Sequence, residues 1–336
     1  MNRAAALIAL LVLLGGCGST TVVQEPSLTV SGGQPTPAGP GIPAGEGETR
    51  IAVVTHGQAS SPFWAIVRTG VGAAERQMGV GVDYEAPDVY SLERMIELVD
   101  QAVASKPAGL VVSLPEPGLA PAIRRAVKAG VPVVSINSGS DVYRGLGVLA
   151  HVGQPEGRAG YAAGRRLARS GVRSALCVNQ QVGNQGLDAR CAGLARAMRE
   201  AGGSARVLGV DDQSAATPRR IGAAVVAGDV DGIIAANATS GMQAVDGVAR
   251  VRRTGRVRIG AFDLGPEVLE AVRSGKLRFA VDQQPYLQGY LPVVMLANRA
   301  RYGILPSQGD VVATGANFVT RANADQALDL SRRSIR

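Results

Sequence analysis

From about residue 50 onward, short and almost wholly apolar runs alternate with longer segments whose apolar positions recur every three or four residues. The apolar runs span 50–56, 80–84, 109–114, 131–137, 175–179, 205–210, 232–236, 257–262, 279–282 and 311–319. Continuous apolar runs of this length, bounded by turn residues, predict strands buried on both faces. The segments between them predict helices. Ser61 is placed as the N-cap of the first, with Pro62 at its first position, where a missing N–H is harmless. Residues 91–104 put Leu92, Met95, Ile96, Val99 and Val103 on one face. Further helices are expected over 120–129, from near Glu156, Leu187, Thr217, Ser240 and Pro266, and over 287–302. Strict alternation of strand and helix implies parallel sheets covered on both faces. About ten strands are too many for one such sheet in a chain of this length, so the expected fold is α/β, with two similar doubly wound parallel-sheet lobes.

The first 49 residues break the pattern. Arg3 precedes an unbroken apolar run over 4–14, which ends in Leu14-Gly15-Gly16-Cys17. The run is too short to span a bilayer and has the form of a signal-peptide core. Small residues directly before a cysteine form a lipobox, so residues 1–16 are read as a lipoprotein signal peptide and Cys17 as the lipidated first residue of the mature chain. The simpler alternative is an ordinary secretory signal cut near Gly16. Residues 17–49 are rich in Ser, Thr, Gly and Pro, without helical or strand periodicity. Too little apolar surface is available there to offset ordering entropy, and a flexible tether is expected.

Charge changes this picture little. The net charge is +8 and the pI near 9.9, values compatible with nucleic-acid binding. The positive residues, however, are mostly arginines scattered singly or in pairs such as Arg165-Arg166 and Arg219-Arg220. There is no basic run interleaved with aromatics and no DNA-reading helical module before the fold, so nucleic acid is not an expected partner. With Cys17 assigned to lipid, Cys177 and Cys191 form a pair outside the reducing cytosol. A disulfide is expected between them; two free buried thiols remain the alternative, because spacing does not fix geometry. Two cysteines with the distant His56 and His151 make no metal site, and no cofactor is expected.

In open α/β sheets, ligands bind beyond the carboxyl ends of the strands. Polar and aromatic residues gather there: His56, Ser61, Phe63 and Trp64 after the first strand, and Asn137 and Ser138 after the fourth. In the second half come Asn179, Arg190, Asn237, Asp263 and the cluster Asp282-Gln283-Gln284. Each has a plainer reading. Asn237 and Asp263 could equally cap the following helices, and Phe63 continues an apolar stripe through Ile66, Val67 and Val71. Trp64 is the single Trp of the chain and stands in the first helical turn beside the expected cleft. His56 and His151 are read as hydrogen-bonded structural residues. No nucleophile elbow, phosphate loop or metal spacing is present, and an enzyme is not expected.

Eight segments in order carry a resemblance: Ser61-Pro-Phe-Trp64, Lys106 to Ser113, Ala129 to Asn137, His151-Val-Gly-Gln154 with Ala159-Gly160, Asp188 to Gly193, the strand ending at Asn237, Ile259 to Asp263, and Val281 to Pro285. From residue 50 to about 323 the chain resembles the ribose-binding-like periplasmic receptors, type I, of sugar ABC importers. The resemblance implies that Phe63 and Trp64 sandwich a sugar ring, while Arg190, Asn237, Asp263 and Gln283 hydrogen-bond its hydroxyls, with Ser61, Asn137 and Ser138 completing the site. It also implies three crossings between lobes, near Gly153, Gln284 and 312–315. One lobe would comprise 50–153 plus 284–312, the other 154–283 plus 313–330, closing on ligand by hinge bending.

Two departures bear on the substrate. Where ribose-type receptors carry an Asp-Arg pair this chain has Asn137-Ser138, and Ser61 replaces their Asn before Pro-Phe. Pentoses, hexoses and cyclic or linear polyols therefore all remain open. The implied protein is a monomeric, extracytoplasmic, lipid-anchored binding protein that delivers a neutral sugar or polyol to an ABC permease. The alternative is a receptor presenting ligand to a membrane sensor. Sugar-responsive repressors share the fold but begin with a DNA-binding module, whereas this chain begins with a signal-like segment.

Overall fold

A computed structural model describes residues 49–57, 61–306, 311–333 and 335–336. Cys17, the signal-like segment and nearly all of the expected tether lie outside the described residues.

The first sheet is built from β1 (Arg50–Val54), β2 (Gly81–Glu85), β3 (Gly109–Ser113), β4 (Val133–Ile136) and β5 (Ala150–Gly153), with α1 (Pro62–Met78), α2 (Leu92–Ala104) and α3 (Ala120–Lys128) between them. The chain then runs through α4 (Glu156–Arg169), β6 (Ser174–Asn179), α5 (Gln185–Glu200), β7 (Ser204–Gly209), α6 (Thr217–Ala227), β8 (Gly232–Ala235), α7 (Ala238–Arg250), β9 (Arg258–Phe262), α8 (Pro266–Arg273) and β10 (Phe279–Asp282). It closes with α9 (Pro285–Tyr302), β11 (Val311–Ala313), β12 (Asn317–Val319) and α10 (Ala324–Arg332).

Two six-stranded sheets result, in the orders β11-β5-β4-β3-β1-β2 and β12-β10-β9-β8-β6-β7. The chain passes from the first sheet to the second after Gly153, returns after Asp282 and leaves again after Ala313. Strands β1, β3 and β4 are buried along almost their whole length, as strands covered on both faces must be. Each sheet accordingly carries two apolar clusters.

Three differences from the sequence-based expectation have physical causes. Strand β5 was not among the expected strands, because Ala150-His-Val-Gly153 is short and contains a histidine. That histidine is buried, with Nδ1 3.0 Å from Ser135 Oγ. The run 311–319 is two strands in different sheets, broken at Thr314-Gly-Ala316. Finally, β12 pairs antiparallel with β10. It arrives directly from the first sheet, without the helical crossover that a parallel neighbour needs.

Glycine sets the closest helix approach. A Cβ on Gly160 of α4 would lie 2.0 Å from Arg190 O in α5, and one on Gly193 would lie 2.3 Å from Gly157 O. Two helix backbones in contact at these points hold the first turn of α4 against the first turns of α5. Cys177 of β6 and Cys191 of α5 are joined by a disulfide with Cα atoms 5.6 Å apart, which ties α5 to its sheet.

Candidate functional site

The carboxyl ends of the two sheets face each other. On the first side, β1 is followed by Thr55-His56, both buried. The His56 N–H donates to Ser113 Oγ at 2.9 Å, and His56 Nδ1 lies 2.8 Å from the same oxygen. Desolvation lowers the imidazole pKa to about 3, so the ring is neutral. Trp64 packs edge-on against His56 (ring centroids 4.9 Å apart) and against Phe63 (5.1 Å). Its indole covers Gly57, where any Cβ would overlap the ring. Trp64 is therefore buried, Phe63 is half-buried, and Ser61 occupies the N-cap position without a side-chain capping bond. Tyr90 stands 6.0 Å from His56 and donates its hydroxyl to Glu116. Burial first, and then that bond, push its pKa up.

The second side centres on Arg190, which is 3% exposed. Its Nε and Nη2 donate to Glu156 Oε2 (2.5 Å) and Oε1 (2.8 Å), and Nη1 donates to Ala236 O at 2.7 Å. The guanidinium also lies 4.4 Å from the centroid of Phe262. Burial acts against its charge, but Glu156 and then Asp263 outweigh that and raise its pKa. Asp263 Oδ1 accepts from Gln283 Nε2 at 2.5 Å. Desolvation raises the Asp263 pKa to about 6, against the opposing pull of Arg190.

Backbone conformation aims these groups. Asn137, Asp263 and Gln284 have φ of 61°, 68° and 54°, in the left-handed region that non-glycine residues rarely occupy. Asn137 and Asp263 directly follow a strand, and Gln284 is the second residue after β10. Such outliers cluster at binding sites, where surrounding structure holds them.

Residues from the two sides touch. Ser138 Oγ lies 3.1 Å from Asn184 Oδ1, and the Gln185 N–H donates to Pro115 O at 2.8 Å. Asn137 Nδ2 is 3.5 Å from both Gln283 Oε1 and Gln288 Oε1.

Of the residues singled out from sequence, the structure thus brings together Phe63 and Trp64, joins Asn137 and Ser138 to the opposite side, and clusters Arg190, Asp263 and Gln283. Asn237 does cap a helix. Its Oδ1 accepts from Ser240 N at 2.8 Å, and its Nδ2 donates to Asp212 Oδ2 at 2.8 Å. One amide N–H of Asn237 remains for another acceptor. Sequence reasoning missed Glu156, because an acidic residue in a first helical turn is already explained by the helix dipole. It also missed Asn184, Tyr90, Glu116 and Arg336, whose Nε donates to the buried Asp282 Oδ2 at 2.7 Å. Among the described residues no group of three or more His, Cys, Asp or Glu is placed to hold a metal ion. No described helix is long and apolar enough to cross a membrane.

The arrangement offers aromatic rings beside buried donors and acceptors: chemistry suited to holding a hydroxylated molecule. Comparison with known proteins agrees with it. A carbohydrate transporter from Acidothermus cellulolyticus 11B, solved with myo-inositol, is 32% identical with a TM-score of 0.80, over 86% of this chain and all of that one. The xylose/arabinose-binding protein XylF of Sulfolobus acidocaldarius is 26% identical, over 84% of this chain and 74% of its own length. A glucose-galactose binding protein from Geobacillus stearothermophilus shares the fold at 22% identity and TM-score 0.72, over 82% of this chain and 99% of that one. Residues 51–303 match the periplasmic binding protein domain, so the chain belongs to the periplasmic binding protein family.

Proposed function

We propose that this chain is the extracytoplasmic, lipid-anchored binding component of a carbohydrate ABC importer, and that it captures a neutral sugar or polyol between its two lobes. The observation that carries the reading is that Phe63 from one side and Asp263 and Gln283 from the other line one small cavity, with Trp64 packed on Phe63 and Arg190 held over Phe262, the neighbour of Asp263. A sugar ring presents C–H groups that pack on an aromatic face, and hydroxyls that need both donors and acceptors. The arginine supplies donors, the aspartate acceptors, and Gln283 both. Asn137, Ser138, Asn237 and Ser61 stand around this set. The relative solved with myo-inositol and the curated xylose/arabinose binder support ligands of this class.

The lobes are 50–153 plus 284–313 and 154–283 plus 314–330, the last boundary lying one residue later than the sequence suggests because Ala313 pairs with Gly153 in the first sheet. They close around the ligand by bending where the chain crosses between the sheets, at 154–155, 283–284 and 314–316. No step of chemistry is performed on the ligand; the site binds and releases. Cys17 carries the lipid that keeps the protein beside its permease.

Calorimetry on the full chain in mild detergent, against xylose, arabinose, glucose, galactose, myo-inositol and linear polyols, tests the reading. At least one should bind with a Kd in the micromolar range or tighter. Binding of none of them would sink it. Intact-mass analysis of membrane-extracted protein should show the diacylglyceryl increment at Cys17; a chain beginning at Cys17 without lipid would remove the anchor from the proposal.

A further inference from the structure

Arg190 is the charged donor of the site, yet most of it is already engaged. Three of its N–H groups bind Glu156 and Ala236 O, which leaves one N–H on each terminal nitrogen free for another partner. Glu156 is as buried as Arg190, at 3% exposure, and Gln154 Nε2 donates to its Oε2 at 2.8 Å. Its bidentate fork holds the guanidinium plane over Phe262 and matches the guanidinium charge one for one. Arg336 is likewise matched by Asp282. The Asp263 carboxylate, by contrast, accepts from the neutral Gln283, and among the described residues no cation is in salt-bridge contact with it. Asp212 adds a further carboxylate beside Asn237. A chain with a net charge of +8 thus presents, among the described residues named here, two paired cations, Arg190 and Arg336, beside the further carboxylates Asp263 and Asp212.

We propose that Glu156 is a specificity-determining positioning residue: by pairing with Arg190 it turns that arginine into an oriented but charge-neutralised donor, and so restricts the cleft to uncharged hydroxylated ligands. An arginine without this partner would attract carboxylates and phosphates, the anions that guanidinium groups bind best. With it, a sugar acid brings its charge toward Asp263 and gains no net cation in return. Buried like charges carry a large penalty, which makes such a pair an effective filter.

The inference rests on the sugar or polyol reading. Its test compares matched neutral and anionic probes by calorimetry: xylose with glucuronate, glucose with gluconate, and galactose with galacturonate. The wild-type chain should prefer each neutral member by about a hundredfold or more. Glu156→Gln keeps the shape and removes the charge; it should shift the anion-to-neutral ratio toward the anion by at least about tenfold. Glu156→Asp, which keeps the charge, should retain the wild-type preference even where overall affinity drops. A purely structural role would lower both members of each pair together and leave the ratio unchanged, and that result overturns the proposal. So does a wild-type chain that binds a sugar acid as tightly as its neutral partner, a measurement that needs no variant. Neutral binding with an unmoved ratio refutes Glu156 alone, whereas no binding of any neutral probe refutes the sugar reading and this inference together.

Discussion

Ser138 Oγ lies 3.1 Å from Asn184 Oδ1 and joins the end of β4 in the first sheet to the N-cap of α5 beside the second. Asn184 Oδ1 also accepts from Gly186 N at 3.0 Å, so one oxygen both caps the helix and meets the opposite side. Together with the Gln185 N–H to Pro115 O bond of 2.8 Å, it forms a small polar latch. A neutral hydrogen bond contributes about 1 kcal/mol net, enough to bias a lobe equilibrium and too little to lock it. Ser138→Ala should shift the ligand-free protein toward the open form by about fivefold. Small-angle scattering would show this as a larger radius of gyration, restored by ligand. An unchanged profile would mean that the contact does not hold the lobes together.

Asp263 and Trp64 should dominate binding of the neutral ligand. Hydrogen bonds to charged groups contribute about 1.5–3 kcal/mol, so Asp263→Ala should weaken binding at least about tenfold. Trp64→Ala removes both the stacking face and the cover over Gly57, and should weaken it similarly. A ligand bound tightly and equally by wild type and both variants would show that the site lies elsewhere.

Helix α4 presents Glu156 to Arg190 only because Gly160 lets the two backbones meet. Gly160→Ala puts a carbon 2.0 Å from a carbonyl oxygen, and backbone cannot swing aside as a side chain can. The variant should lose about 1–3 kcal/mol in urea unfolding and bind ligand more weakly. Gly145→Ala, whose new methyl would meet nothing within 4 Å, serves as the control. Equal stability of the two variants would contradict the close approach.

The Cys177–Cys191 bridge closes a short loop, with a sequence separation of 14. The chain-entropy relation gives about 3 kcal/mol for a loop of this size. Reduction, or replacement of both cysteines by Ala, should lower the unfolding midpoint accordingly, because the unfolded chain regains freedom. Non-reducing peptide mapping that finds both thiols alkylatable would refute the bridge itself.

Acid should destabilise the protein through its two histidines. Burial lowers His56 to about 3 and His151 to about 4, from an ordinary 6.5. Between those values and 6.5 the unfolded chain binds more protons, so stability is complete above about pH 6.5 and falls as pH drops toward 4. Asp263 acts in the opposite sense. Its pKa of about 6, raised from 3.8 by burial, makes the folded state bind the extra proton, and its contribution is lost as pH rises through 6. Thermal melts from pH 4 to 8 should show the histidine effect prevailing, at several kcal/mol. His56→Gln should flatten the acid limb, and Asp263→Asn should raise stability near pH 7 relative to wild type. A wild-type melting temperature constant from pH 4 to 7 would contradict the buried neutral imidazoles.

Much of the fold was legible in the alternation of apolar runs and amphipathic segments. Pro62 and Pro266 each open a helix, and Ser91 accepts the N–H of Arg94 at 3.1 Å as an N-cap should; the last long helix, expected from 287, begins at Pro285. Strand β5 was hidden by its brevity and by His151, a polar residue made tolerable by Ser135. The division of 311–319 between two sheets was hidden as well, since three-residue strands carry no period of their own.

By itself the sequence determined the class of the molecule: continuous apolar strands must be covered on both faces, and covering them with intervening helices yields doubly wound parallel sheets. It also placed Trp64, Arg190 and Asp263 near strand ends, where α/β sheets bind ligands. Only the tertiary structure decided what those groups are free to do. Glu156 and Arg190 lie 34 residues apart, and nothing local requires that they meet. Their pairing depends on two glycine-lined helices coming into backbone contact. The same holds for Asn237, which local chemistry allows as cap or ligand: the packed structure makes it the cap of α7 and leaves one amide N–H for another acceptor. Charge, hydrogen-bond capacity and exposure belong to neighbourhoods, and neighbourhoods exist only once distant segments are packed together.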